Sequence, residues 1–128
     1  MWVTYVRALT LRDTLITSLE GFHANWDAWL CPVTSGPAFT HRRTGQPIEV
    51  DGQKEHYWMA TVGHTCIFNL TGNPVAILPM GRTREELPIG VQVVGRRWQD
   101  MEVLAVAEAL TEVTGTFQRP RSFTAQGL

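Results

Sequence analysis

The sequence predicts an α/β fold. Two runs of β-branched and aliphatic residues, Pro74–Pro79 and Ile89–Val94, are apolar at nearly every position. A strand apolar on both sides belongs to a sheet covered on both faces. Segments with helical periodicity stand before and after them, and glycines sit where those helices should stop. Composition agrees: of 128 residues, 44% are hydrophobic and 18% charged, a globular balance rather than a disordered one. A chain of this length holds one domain and one core, burying roughly two-thirds of its unfolded surface.

The first element is a helix. Ala8, Leu11, Leu15, Leu19, Phe22 and Trp26 step by three or four and draw one apolar stripe, while Arg7, Thr10, Thr14, Thr17 and Ser18 fall on the wet side. It should run from about Val3 to Ala24, within a helical segment 1–26, with Asn25 as the stop. The stripe is already in force near Met1 with no cap before it, which reads as a chain opening inside a helix and cut from a longer protein.

Ala28-Trp29-Leu30-Cys31 then reads as a short buried strand ended by Pro32. Residues 32–54 carry Pro32, Pro37 and Pro47 with Gly36, Gly45 and Gly52 and little periodicity, so a long loop is expected. Glu55 to Leu70 reads as a single second helix, ended by Gly72, with Gly63 inside it marking a close backbone approach. The two apolar strands follow, separated by the polar segment 81–88. Asp100 is placed to cap the last helix, whose buried stripe is Val103, Val106, Ala107, Leu110 and Val113 and whose end is Gly115. The tail, 116–128, is polar and expected to be loose. The five tryptophans, Trp2, Trp26, Trp29, Trp58 and Trp98, have core-like spacing.

Charge and cysteine content exclude several classes. Net charge is −1, with Lys54 the only lysine, so there is no basic footprint for nucleic acid or an anionic membrane. No run approaches the roughly 18 apolar residues of a membrane span. Cys31 and Cys66 read as two buried thiols in a reducing compartment, and a cytoplasmic protein is the expectation. His56, His64 and Cys66 do not converge as zinc ligands: on one helix His64 and Cys66 point about 200° apart. Neither cysteine has the setting of an activated nucleophile. Gly72, Gly81, Gly90 and Gly95 mark turns and strand ends, not a phosphate loop. No cofactor and no metal are expected.

Four strings in order resemble one family. Asn69-Leu70-Thr71-Gly72-Asn73-Pro74 through Pro79-Met80-Gly81 is similar to the Asn-Leu-x-Gly-x-Pro-x-x-x-x-Pro-x-Gly pattern of the amidase-signature enzymes. Leu87-Pro88-Ile89-Gly90-Val91-Gln92-Val93-Val94-Gly95 resembles their Leu-Pro-x-Gly-x-Gln-x-x-Gly. Asp27 to Thr34 looks like their Asp-x-x-x-x-Pro-x-Thr strand exit, with Arg12 in the preceding helix, and Asp100 with Glu102 to Leu104 falls where their last helix begins. The resemblance runs from about residue 5 to 117.

The resemblance implies the C-terminal portion of an amidase-signature domain: a mixed sheet fragment with about three flanking helices, spanning 1–128. It implies hydrolysis of amide C–N bonds by a serine nucleophile, a second serine in a cis peptide and a lysine. That segment is not in this sequence. Its serines are Ser18, Ser35 and Ser122, none in a Gly-Gly-Ser-Ser run, and Lys54 lies in the long loop rather than a buried setting. No catalytic residue is therefore expected here, and the chain alone should be inactive. The expected substrate-binding residues are Thr34, Val62 and Thr65.

In the A subunits of glutamyl-tRNA amidotransferases an aspartate one turn before the threonine matched here by Thr65 helps bind the glutamine ammonium; here that position is Val62, which cannot pair with a cation. A less polar amide is the expected substrate, used once the N-terminal part completes the site. The alternative is a self-standing binding or assembly module that kept the scaffold and lost the chemistry. Polar residues where missing elements would pack would mark such a module. A large apolar patch, promoting homo-oligomers, would mark a fragment.

Overall fold

The computed structural model describes residues 2–119 and contains α1 (Trp2–His23), β1 (Trp29–Pro32), β2 (Ile48–Val50), β3 (Gln53–Glu55), α2 (Tyr57–Val62), α3 (Cys66–Thr71), β4 (Val75–Arg82), β5 (Pro88–Val94) and α4 (Asp100–Thr114). The α/β class holds, with four helices among the described residues where about three were expected. The main sheet has the order β1-β5-β4 and is antiparallel throughout, not mixed. The physical reason is the short link between β4 and β5: residues 83–87 suffice for a hairpin but not for the dozen or more residues of a parallel crossover.

The sheet is covered by α4 on one face and only in part on the other, which corrects the expectation of cover on both and of a buried β1: Leu30 of β1 is 50% exposed and Ile77 of β4 61%. On one face Val93 packs with Val103 and Ala107 of α4, joined by Ala76, Leu78, Val106 and Leu110. On the other, Trp29 meets Phe68 of α3 edge-on, with ring centroids 5.6 Å apart, and Gln92 reaches the chain between α2 and α3. Proline is tolerated at both strand edges. Pro32 ends the edge strand β1, and Pro79 sits at an irregularity of the other edge strand, β4.

Two elements depart from expectation. The 32–54 segment is not structureless: β2 and β3 pair as a hairpin whose turn residues Asp51 and Gly52 have φ 50° and 76°. Both left-handed conformations are those of the tight Asp-Gly hairpin turn. Lys54 lies exposed on β3. The single helix 55–70 is two, broken at Gly63–Thr65. A Cβ at Gly63 would stand 2.5 Å from Met59 O, so the expected close approach is there, made by the preceding turn itself.

Helix ends follow their residues. Gly72 takes φ 76° and its N–H donates to Phe68 O, and Gly115 donates to Thr111 O. Asp100 is the first residue of α4 rather than its cap, which is Gln99; with Glu102 it places two carboxylates at the positive end of the helix dipole. Thr10, Thr14, Thr17 and Ser18 donate back to the carbonyl four residues before, as expected of wet-side hydroxyls. Residues 116–119 have no regular structure, and the remainder of the expected loose tail, 120–128, lies outside the described residues.

Much apolar surface is uncovered. Of the α1 stripe only Leu19 is buried, together with His23; Leu11 is 66% exposed and Trp26 59%. None of the five tryptophans is buried, which overturns the core reading of their spacing. Cys66 is exposed and only Cys31 is partly covered, so the expectation of two buried thiols fails. A compact monomer of 14.4 kDa exposes about 6,800 Å². This chain exposes 10278 Å². Among the described residues no helix is long and apolar enough to cross a membrane.

His23 gives α1 a pH-sensitive anchor. The ring is fully buried, neither ring nitrogen has a partner, and burial lowers its pKa below the ordinary 6.5; nearby Glu20 opposes the shift and Arg96 adds to it. The unfolded chain takes up a proton near pH 6.5 that the folded ring resists. Stability is therefore full above that pH and falls as pH drops toward the lowered folded value. Urea midpoints should decrease between pH 7.5 and pH 5.5, and His23→Gln should remove most of that difference relative to the parent chain.

Candidate functional site

The motif residues converge where β1 leaves the sheet. Gln92, 2% exposed, is the one polar residue in the apolar run of β5. Its side-chain Nε2 donates to Pro32 O at 2.7 Å and to His64 O at 3.1 Å, and lies 3.6 Å from Cys31 Sγ. One amide thus joins β5, the exit of β1 and the α2–α3 junction. A second polar knot holds the start of β4. Asn73 Nδ2 donates to Gly95 O at 2.8 Å, and the Thr71 hydroxyl lies 2.7 Å from Asn73 Oδ1 and 2.8 Å from Ile67 O, sharing its hydrogen.

Beyond Pro32 the chain runs beside α2. The Ser35 N–H donates to Ala60 O at 3.0 Å, and Ser35 Oγ lies 3.3 Å from His64 Nε2 in a partly buried pair. The Thr34 hydroxyl turns back to Gly36 O at 2.7 Å. Pro32, residues 34–38 and residues 88–90 wall a groove of about 310 Å³, at the small end of ligand-site volumes. None of its lining residues is ionisable. A Cβ at Gly90 would come within 3.4 Å of Ile77, Leu78 and Val33 atoms, so glycine lets β5 approach its neighbours there.

The expected site residues divide. Thr34 lies in the groove wall. Val62 and Thr65 stand at the α2–α3 junction, outside the lining, with the Thr65 hydroxyl donating to Val62 O at 3.2 Å. Ser35 and His64 are what link the two places, and sequence reasoning did not single them out together. They are 29 positions apart, and nothing local pairs them. Gln92 was also missed as a structural centre, although a lone amide in an apolar strand was a readable signal.

The remaining chemistry is sparse. Ser18 is committed to Thr14 O on α1, and Ser122 lies outside the described residues. Burial raises the Cys31 pKa, which keeps it a thiol at neutral pH and a poor nucleophile. Among the described residues no three His, Cys, Asp or Glu side chains converge on a metal position.

Comparison with known proteins places this architecture. A family profile described as Amidase matches residues 2–104. The glutamyl-tRNA(Gln) amidotransferase A subunit of Brevibacillus brevis is 32% identical over 115 residues, covering 90% of this chain and 22% of that protein. Its counterpart in Jannaschia sp. is 34% identical over 116 residues, covering 90% and 21%. Among solved structures, an amidase crystal structure aligns with a TM-score of 0.81 at 29% identity, over 90% of this chain and 26% of that one. The glutamyl-tRNA(Gln) amidotransferase A subunit from Thermotoga maritima superimposes with a TM-score of 0.69 at 29% identity, over 87% and 23%. The chain spans about a fifth of the length of the curated relatives it matches. With the profile covering most of its length and the fold shared, the chain belongs to the amidase family.

Proposed function

We propose that this chain is the C-terminal part of an amidase that hydrolyses amide C–N bonds, and that it is inactive alone. It supplies the sheet, the helices and a substrate-side wall, with Thr34, Val62 and Thr65 facing the substrate. The nucleophile and its base come from the rest of the domain. The observation that carries this reading is the uncovered apolar surface. Trp2, Tyr5, Leu11, Trp26 and Ile77 are among the large apolar side chains left bare, exposed by 59–81%. A self-standing binding module would carry polar side chains there.

A small amide is the partner of the completed site, and nucleic acid and membrane are not. In its absence a second copy of the chain can cover the same apolar surface. Of the substrates to consider, glutamine fits less well: the relatives include amidotransferase subunits, but Val62 offers no charge to an ammonium group. A cytoplasmic setting suits the two unpaired cysteines.

The test is co-expression with the N-terminal part of a related amidase carrying the serine–lysine machinery. The pair should release ammonia from simple amides, and the chain alone should neither do so nor form a fluorophosphonate adduct by intact mass. A stoichiometric adduct on the chain alone, abolished by one serine-to-alanine change, would sink the reading, as would a pair that assembles yet hydrolyses no amide.

A further inference from the structure

We infer that Ser35 is a specificity-determining residue of the groove, held in place by His64, and that together they select a neutral amide with a small apolar arm. This rests on the reading of the chain as part of an amidase and adds the ligand class and the residues that recognise it.

Three features of the groove carry the inference. Its lining is Pro32, Pro37, Ala38, Pro88 and Ile89 with two glycines, and its only polar side chains are those of Thr34 and Ser35. The Thr34 hydroxyl spends its hydrogen on Gly36 O and can only accept, which leaves Ser35 as the side chain able to offer a ligand either a donor or an acceptor. A ligand ammonium or carboxylate would meet no opposite charge in the wall and would lose its hydration uncompensated. A neutral amide would not.

Ser35 is also pre-organised. Its N–H is tied to Ala60 O, and its Oγ is tied to His64 Nε2. The backbone carbonyl of His64 in turn accepts from Gln92, which also holds Pro32. When Nε2 bears the ring proton it donates to Ser35 Oγ and frees the serine hydrogen for a ligand carbonyl. When Nε2 is bare it accepts that hydrogen, leaving the Oγ lone pairs for a ligand N–H. An amide offers both groups, so either arrangement is served. The Ser35 N–H is already bonded to Ala60 O and is not available to an oxyanion. The volume of about 310 Å³ admits one small ring or a short alkyl arm beside the amide.

Benzamide and glutamine serve as probes of the chain itself, followed by amide-resolved NMR titration. Benzamide should shift the backbone amides of Gly36, Ile89 and Gly90 saturably, and glutamine should not. Ser35→Ala and His64→Ala should each weaken benzamide at least fivefold, and His64→Gln, which keeps a hydrogen-bonding group near Oγ, should recover most of the loss. No saturable shift at those amides, equal binding of glutamine, or unchanged affinity in both alanine variants overturns the proposal. The comparison of benzamide with glutamine uses the parent chain alone, so it decides even if a variant misfolds. A co-expressed pair that hydrolyses amides while benzamide ignores the groove would refute this site and leave the amidase reading intact. A pair without hydrolysis would refute that reading instead.

Discussion

Gln92→Leu should destabilise the chain by about 1–3 kcal/mol, the combined loss of two part-buried hydrogen bonds. The side chain is almost the same size, so packing on β5 is nearly preserved and the loss isolates the hydrogen bonds to Pro32 O and His64 O. The effect should be directional as well as large. The β4–β5 pairing and the α4 face do not depend on Gln92, whereas the groove wall and the α2–α3 junction both do. Urea unfolding measures the total. Hydrogen exchange should show Ser35 and Thr65 amides losing protection well before Val93. Equal loss everywhere, or a change under 1 kcal/mol, would mean that the amide does not tie these segments together.

Gly95→Ala should cost about 1–3 kcal/mol through overpacking. Gly95 follows β5 beside Val103 of α4, and a methyl group on its Cα would overlap Val103 Cγ2. Neither partner can yield easily. Gly95 N–H donates to Pro74 O, its carbonyl accepts from Asn73, and Val103 is 3% exposed in the core. Shortening the opposing side chain should relieve the clash. Val103→Ala alone opens a cavity and destabilises, but combined with Gly95→Ala the two losses should be clearly less than additive, as expected for directly touching residues. A double-mutant cycle by thermal or urea unfolding gives the coupling. Strict additivity would place the strain of Gly95→Ala somewhere other than Val103.

These predictions bear on how much of the site was readable beforehand. The motif strings around Gly72, Pro74, Gln92 and Gly95 turned out to be the knots of the structure: the Asn73 amide, the Gln92 amide and the contact of Gly95 with α4. Their residue types were legible because glycine and buried amides have few alternative uses. The hairpin β2–β3 was signalled at its turn by Asp51-Gly52, but Ile48-Glu49-Val50 is too short for its alternation to stand out and Gln53-Lys54-Glu55 is wholly polar. The break in the second helix was signalled by Gly63, which in the sequence alone reads as a close backbone approach within one continuous helix.

Helix ends at Gly72 and Gly115, the back-bonded hydroxyls of α1, the apolar strands and the Val103-to-Leu110 part of the α4 face were set by the chain's local chemistry. Each depends on one residue's allowed dihedrals or on a periodicity within a few turns. Val113, expected in that face, is instead 85% exposed. The antiparallel pairing of the sheet, the meeting of Ser35 with His64 and the exposure of every tryptophan depended on how distant segments were brought together. Side-chain spacing states which residues share a face; it does not state whether anything packs against that face. For α1 the helix formed as expected, but nearly all of its apolar residues stayed uncovered. The physical reason is that burial belongs to pairs of surfaces, while a sequence pattern describes one surface at a time.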